Sequence, residues 1–398
     1  MKKMTIRDAS LQGKRVLVRV DFNVPLSDAG TVADDKRIRA AIPTIRHICD
    51  AGATCVLMTH LGRPGGRIVP ELSLAPVAEH LRNLLGGQTV HFIDACAGER
   101  VEERIAGLGP GEVILLENLR FHEEETANDP AFAKQLARLG DIYVNDAFGT
   151  AHRAHASTAG VTRYYDLNLA GFLMEKEIDH LSSLLEAPKS PFVALLGGAK
   201  ISGKIDVIRS LSERVDRLLL GGGMVGTFYA AQGKQIGDSL VEEDRFDVAR
   251  AILSEVGPDK LLLPTDAVIA SAFEVNAERR IVSIDEIEPG WRMLDIGPET
   301  VTRFASEIRS AQTVFWNGPM GVFEMEPFAK GTRALAEAAA EATDRGVVTV
   351  IGGGDTARAI GEQGLEDRIT HVSTGGGASL EFVEGRELPG VVALTDRS

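Results

Sequence analysis

Positive charge, aromatic side chains and cysteine are all scarce in this sequence. Asp and Glu outnumber Lys and Arg by 57 to 43, a formal net charge of −14. A chain of that sign repels nucleic-acid backbones and anionic lipid surfaces, which excludes both as partners of the chain as a whole. Phe, Trp and Tyr together make up only 5% of the residues. The three cysteines, Cys49, Cys55 and Cys96, form no C-x-x-C pair, and their odd number argues against a disulfide framework. There is no Asn-x-Ser/Thr sequon. No apolar run approaches membrane-spanning length; those at Leu218–Leu220 and Val347–Ile351 are strand-sized. The basic start, Met1-Lys2-Lys3, has no apolar stretch behind it, so no signal peptide is read. These absences together point to a reducing cytoplasmic setting.

What is present is material for two or three domains: 398 residues, 44% of them apolar. Charge is distributed unevenly. Through Ala170 there are 20 basic and 21 acidic residues, and 15 of those basic residues are Arg; seven of the nine His lie there too. The remainder carries 23 basic against 36 acidic residues. An Arg- and His-rich half within an acidic protein suits the holding of a small anion.

Strand-length apolar runs alternate with amphipathic stretches from end to end, the pattern of β-α-β units and parallel sheets. In the first half the expected strands are Val16–Phe22, Thr54–His60, Val90–Ile93, Val113–Glu117 and Ile142–Asn145. Helices are expected around Arg37–Asp50, Ala75–Leu85, Gly98–Ala106 and Pro130–Leu139. A longer helical stretch, Leu169–Glu186, is closed by Pro188 and Pro191 and reads as a connector. Beyond it the expected strands are Phe192–Leu196, Arg217–Leu220, Lys260–Leu263, Thr313–Trp316, Val347–Ile351 and His371–Ser373.

Four strands of the second half run into glycine clusters: Gly197-Gly198, Gly221-Gly222-Gly223, Gly352-Gly353-Gly354 and Gly375-Gly376-Gly377. A glycine turn between strand and helix lets backbone N–H groups approach a phosphate. One such turn is commonly just a tight connection; four on one half-chain favour a ligand crevice. Two motif matches are discounted. Gly198 to Lys204 follows a P-loop until Ile205 stands where a Ser or Thr is needed for Mg²⁺. Gly221 to Gly226 fits a dinucleotide fingerprint, but its ribose-binding acid would have to be Glu242 or Glu243, at an expected helix start. Lys200 and Lys204 are expected on one face of a helix start, where phosphate would offset their charge. Asp355-Thr356 reads equally as an N-cap and as a carboxylate near Mg²⁺.

In the first half, basic residues gather where strands end. Asp21-Phe22-Asn23 closes the first strand and Arg37 opens the next helix; His60 to Pro64, Arg120 to His122, and Asp146 with His152 to His155 follow later strands. A lone Arg is usually just solvated, whereas several at one sheet edge repel one another unless a multiply charged anion sits among them. His152 and His155 lack a third ligand at zinc spacing, so a metal site ranks below anion binding. Glu123-Glu124-Glu125 reads as an exposed acidic face. No G-x-S-x-G, H-E-x-x-H or H-R-D motif is present, which weighs against hydrolase and protein-kinase readings.

The motifs Arg19-Val-Asp21-Phe-Asn23-Val-Pro25, His60-Leu-Gly-Arg63-Pro64, Glu117-Asn-Leu-Arg120-Phe-His122 and Asn145 through Arg153 resemble the phosphoglycerate kinase family. So do Leu196-Gly-Gly-Ala-Lys200, Trp316-Asn-Gly-Pro319-x-Gly-Val-Phe-Glu324, Gly352-Gly-Gly-Asp355-Thr356 and Ser373 through Ser379. The likeness runs in order from near residue 15 to near 385. It implies an α/β protein with two doubly wound parallel-sheet domains facing a cleft and joined by a linker helix. The implied boundaries are 1–170 for phosphoglycerate binding, 171–187 for the linker and 188–386 for the nucleotide, with a tail of about 387–398 returning to the first domain.

The implied reaction is reversible phosphoryl transfer between 1,3-bisphosphoglycerate and ADP, giving 3-phosphoglycerate and ATP in glycolysis, with Mg²⁺ on the nucleotide. By resemblance, Asp21, Phe22, Asn23, Arg37, His60, Leu61, Gly62, Arg63, Arg120 and Arg153 hold the phosphoglycerate. Lys200, Lys204, Gly222, Asn317, Pro319, Glu324, Gly353, Gly354, Asp355 and Thr356 serve the nucleotide, with Asp355 at the metal and Glu324 at the ribose. Arg37, Lys200 and Gly376 carry the catalytic roles. A cytoplasmic, hinge-bending monomer is implied as well. Rival readings are a nucleotide-dependent dehydrogenase, resting on Gly221 to Gly226, and a non-catalytic anion-binding module.

Overall fold

The computed structural model describes residues 2–397. Two compact units divide the chain: one runs up to Asp179 and takes in the stretch from Glu387 on, the other is His180–Arg386. The division falls inside a single helix, Phe172–Glu186.

The first unit is built on six parallel strands: β1 (Arg15–Val20), β2 (Thr54–Met58), β3 (Val90–Ile93), β4 (Val113–Leu116), β5 (Ile142–Asp146) and β6 (Asn168–Ala170), in the order β3-β4-β2-β1-β5-β6. Side chains alternate across a strand, so both faces of a central strand need cover. On β1, Val16, Val18 and Val20 enter one core cluster, and Leu17 enters the other. The helix Lys36–Asp50 covers the first face with Ile38, Ala41, Ile45 and Ile48, one stripe at helical spacing. The C-terminal segment is fastened to this unit. Lys3 Nζ donates to the Leu394 carbonyl at 2.9 Å and pairs with Asp396 at 2.7 Å, and Asn145 Nδ2 donates to the Gly390 carbonyl.

The second unit carries another six-stranded parallel sheet: β7 (Phe192–Leu196), β8 (Arg217–Leu220), β9 (Leu261–Leu262), then, after three antiparallel strands, β13 (Thr313–Asn317), β14 (Val348–Gly352) and β15 (His371–Val372). Its order is β15-β14-β13-β7-β8-β9. Helices Pro298–Ser310 and Lys330–Asp344 press Phe304, Ile308, Leu335 and Ala339 onto it. The antiparallel strands, β10 (Asp266–Ala270), β11 (Arg279–Ser283) and β12 (Arg292–Ile296), pair in the order β11-β10-β12.

Three local expectations are revised. Leu169–Glu186 is not one helix: β6 pairs in parallel with β5 through Tyr143 and Asn168, and the helix starts only at Phe172. Asp146 explains the start, because its Oδ1 accepts the Leu173 and Met174 amides at 2.9 and 3.1 Å. Lys260–Leu263 shortens to Leu261–Leu262. The antiparallel sheet was not anticipated.

In both parallel sheets the first strand has neighbours on either side whose connections leave in opposite directions. The switch points are β1/β5 and β7/β13, and ligand crevices of doubly wound sheets form at the carboxyl ends of such pairs.

Candidate functional site

In the first unit, the loops after β1, β2, β4 and β5 meet at the carboxyl edge. Arg37, at the start of its helix, donates from Nη1 to Asp21 Oδ2 at 3.0 Å and to the Asn23 carbonyl at 3.2 Å. Asn23 Oδ1 accepts the Gly62 amide at 2.9 Å, and Arg120 Nη1 donates to the Gly62 carbonyl at 2.8 Å. One hydrogen-bonded chain therefore links the loops. Gly62 has φ +63°, and a Cβ there would press on Leu72, which is why the tight β2 loop uses glycine.

Arg63, Arg120 and Arg153 line a cavity of about 330 Å³ together with His155, Gly65 and Thr126. Phe22 and Leu61 do not present side chains to it, being buried in the core. Their amides are also engaged, by Thr59 Oγ1 and Asn118 Oδ1. These two residues shape the loops.

The electrostatics match an anion site. Burial, then Arg19, Arg120 and Arg37, hold the His60 imidazole well below its ordinary value. Burial and the neighbouring arginines likewise push His155 down to about 4. Arg120 is lowered to about 10 by burial, with Arg19 and Arg153 adding to it, and stays charged at neutral pH. Neutral histidines among fixed guanidinium charges leave the positive field to arginine.

Two groups were misread from local sequence. Glu125 has no exposed surface, although Glu123 and Glu124 beside it are exposed. Asp146, grouped by sequence with His152 to His155, ends β5, and its carboxylate instead accepts the two amides at the start of the helix Phe172–Glu186.

In the second unit the corresponding edge is made of backbone. Gly198, Gly222, Gly318, Gly353 and Gly376 all have positive φ. Around the β7/β13 switch point the turns touch main chain to main chain. A Cβ on Gly318 would run into the Gly197 carbonyl, and one on Gly222 into the Gly198 backbone. Lys204 Nζ donates across this point to Asn317 Oδ1. Burial lowers Lys204 to about 8, opposed by Glu384 and Asp355.

Lys200 and Lys204 do not share a helix face. The helix begins at Ile205, with Lys204 at its cap position, and the preceding residues form turns with Lys200 exposed. Nor is Asp355 an N-cap. Gly353 holds that position before the helix Gly354–Glu362, and the exposed Asp355 carboxylate has no hydrogen-bond or ion-pair partner among the described residues. Thr356 is fully buried, and its Oγ1 accepts the Gly318 amide at 2.7 Å, so its side chain braces the turn. Glu324 is held by Arg358 at 3.0 Å, whose guanidinium lies over the Phe323 ring. Gly376 precedes the helix Gly377–Val383, and its carbonyl accepts from Ser379 Oγ.

A cavity of about 450 Å³ opens among these turns. It is lined by Gly222, Pro319, Glu324 and Asp355, and by apolar residues that sequence reasoning missed, such as Leu240, Phe273, Met293 and Leu294. The antiparallel sheet supplies part of this wall; Arg292–Ile296 reads Arg-Met-Leu-Asp-Ile, with no polar–apolar alternation to mark it as a strand.

Among the described residues no cluster of three or more His, Cys, Asp or Glu could by itself hold a metal ion, and no helix is long and apolar enough to cross a membrane. The three cysteines are free and buried.

Fold and sites together define a two-unit α/β phosphotransferase, with an arginine-lined cavity in one unit and a cavity of glycine turns with an apolar wall in the other. The chain belongs to the phosphoglycerate kinase family, whose members use a carboxyl group as phosphoryl acceptor. The family model, described as phosphoglycerate kinase, matches residues 6–386. The phosphoglycerate kinase of Chloroherpeton thalassium is 57% identical over 398 residues, covering all of both chains. That of Chloroflexus aurantiacus is 56% identical over 399 residues with the same coverage. The solved structure of phosphoglycerate kinase from Coxiella burnetii superposes with a TM-score of 0.88 at 40% identity, covering 98% of each chain.

Proposed function

We propose that this chain catalyses the reversible transfer of a phosphoryl group between the acyl phosphate of 1,3-bisphosphoglycerate and ADP, giving 3-phosphoglycerate and ATP in glycolysis. The first unit holds the phosphoglycerate through Asp21, Asn23, Arg37, His60, Arg63, Arg120 and Arg153. The second holds the nucleotide through its glycine turns, Lys200, Lys204, Asn317, Pro319 and Glu324. The observation that carries this reading is the guanidinium-lined cavity formed by residues that follow β2, β4 and β5: three arginines around a small space match a compact, multiply charged anion. The apolar cavity beside the glycine turns suits a nucleoside, with Glu324 in reach of ribose hydroxyls.

The acceptor needs no base. The carboxyl group of 3-phosphoglycerate, with an ordinary pKa of about 4, is ionised at neutral pH. The chain's task is alignment and charge neutralisation of the transferring group. Arg37 and Lys200 meet its oxygens, and the Gly376 turn presents backbone N–H. Asp355, a carboxylate with no hydrogen-bond or ion-pair partner among the described residues, fits Mg²⁺ carried on nucleotide phosphates, since that ion is commonly held by one or two carboxylates plus the phosphates. The chemistry Mg²⁺ supplies when bound is neutralisation of phosphate charge. With the reactants gripped by different units, hinge closure brings them in line and excludes water. A cytoplasmic monomer completes the proposal.

A coupled assay with 3-phosphoglycerate and MgATP tests it. Turnover is expected only with both substrates present. Binding of 3-phosphoglycerate without turnover would support an anion-binding module instead, and NADH binding a dehydrogenase.

A further inference from the structure

Arg19 is fully buried, and among the described residues no carboxylate touches it directly. It lies on the face of β1 that also carries Leu17. Its Nε donates to Ser157 Oγ at 2.8 Å, one terminal nitrogen donates to the Val20 carbonyl, and the other lies 3.1 Å from His60 Nδ1. Ser157 Oγ has a single hydrogen. Because Oγ accepts from Arg19, that hydrogen is committed to Glu125 Oε1, 2.6 Å away. The Ser157 amide donates to the other oxygen, Oε2, at 3.0 Å. This proton count fits an ionised Glu125 and fixes every donor in the sequence Glu125, Ser157, Arg19, His60.

The last link decides a tautomer. A guanidinium has donors and no acceptor, so His60 Nδ1 must offer its lone pair, and the ring proton sits on Nε2. Asp21 Oδ1 would favour the opposite tautomer, but it is 4.0 Å from Nδ1, beyond hydrogen-bond reach, and Arg37 engages its other oxygen at 3.0 Å. Among the described residues Nε2 has no hydrogen-bond partner, and it is not sealed from solvent, so its N–H is left for a ligand. The charged and titratable groups around the ring are Arg19, Arg37, Arg120, Asp21 and His155.

We propose that Glu125 is a positioning residue. Through Ser157 and Arg19 it holds His60 as a neutral Nε2–H donor aimed at an anionic oxygen of the substrate, resting on the assignment of phosphoglycerate to this unit. Replacing Glu125 by Gln removes the charge and turns the relay round. The new amide N–H₂ donates to Ser157 Oγ, whose own hydrogen then loses its acceptor.

The wild-type chain gives the first test, by ¹⁵N NMR of labelled histidines with His60 assigned through His60→Gln. The expected result is a bare Nδ1 and a protonated Nε2, unchanged between about pH 6 and pH 8. An Nδ1–H tautomer, or a ring that titrates in that interval, overturns the proposal without any variant having to fold. Glu125→Gln and Ser157→Ala are expected to raise KM for 3-phosphoglycerate about tenfold, with kcat and the nucleotide KM within about threefold, and to mix the His60 tautomers. Folded variants with the wild-type tautomer and KM overturn it. A His60 signal of the expected form that does not move on adding 3-phosphoglycerate would uphold the relay and sink the substrate assignment instead.

Discussion

At the carboxyl edge of the first unit's sheet the crevice is furnished by side chains: Arg37, Arg63, Arg120 and Arg153, with a buried Arg19 behind them. At the carboxyl edge of the second unit's sheet it is furnished by main chain, five glycines of positive φ and one partly buried lysine. The same sheet topology thus carries two kinds of edge, one of fixed charges and one of peptide dipoles. Guanidinium groups bring full charge but must be kept from repelling each other, which the first unit does with Asp21 and Glu125 at their backs. Peptide dipoles bring partial charge at no such cost, but demand backbone conformations that a single Cβ destroys. One site is broken by removing atoms and the other by adding them.

The sharpest test of that contrast removes a guanidinium. Arg37→Ala is expected to cut kcat by about 10²–10⁴, the range for lost charge-stabilising groups, while the nucleotide KM stays within about twofold. The loss is compounded because Arg37 is the guanidinium paired with Asp21, at 3.0 Å, so its removal leaves that carboxyl without its cation. A kcat within about twofold of the parent would take Arg37 out of the transfer step.

The converse test adds a methyl group. Gly318 has φ +98°, and a Cβ there meets the Gly197 carbonyl. Gly318→Ala is expected to destabilise the chain by roughly 2–3 kcal/mol in urea unfolding and to weaken nucleotide binding, leaving phosphoglycerate affinity unchanged. Gly203→Ala, where φ is ordinary and nothing lies within 4 Å, serves as the control, expected within about 0.5 kcal/mol of the parent. Equal effects at both positions would mean that the turns tolerate side chains and that the contrast is overstated.

The two sites also differ in how openly the sequence displays them. β1, β2, β4 and β5 are buried apolar runs, and the arginines stand right after them, so the first edge could be placed by reading along the chain. The glycine turns were visible for the same reason. Glu125 was not: three successive glutamates look alike locally, and what buries the third is Ser157, 32 residues further on. The antiparallel sheet was hidden because β11 is exposed at four of its five residues, leaving no alternation to read. Asp355 looked like a cap because Asp and Thr favour that position, yet Gly353, at φ +86°, already turns the chain. Features set by runs and turns were legible, and features set by a distant partner were not.

The smallest expected effect separates the sites by pH. Lys204 is lowered to about 8 by burial, with Glu384 and Asp355 pulling the other way, and its Nζ donates a hydrogen bond to Asn317 Oδ1. Between pH 7 and pH 9 its charged fraction in the ligand-free chain falls from about 0.9 to about 0.1, so nucleotide affinity should fall several-fold to about tenfold. Bound polyphosphate favours the charged amine, so binding near pH 9 takes up a proton. The first unit relies on arginines, and even Arg120, lowered to about 10, stays charged at pH 9. Phosphoglycerate affinity should therefore be level over the same interval. Stability moves in the opposite sense to nucleotide affinity. Because the folded lysine's pKa lies below the unfolded value of 10.5, the unfolded chain binds more protons between pH 8 and 10.5, and Lys204's contribution to stability rises with pH there. Calorimetric titrations of each ligand at fixed ionic strength, beside urea melts of the parent and Lys204→Met, read both slopes. A nucleotide affinity as level as that for phosphoglycerate would mean that Lys204 is not the cation the second site depends on.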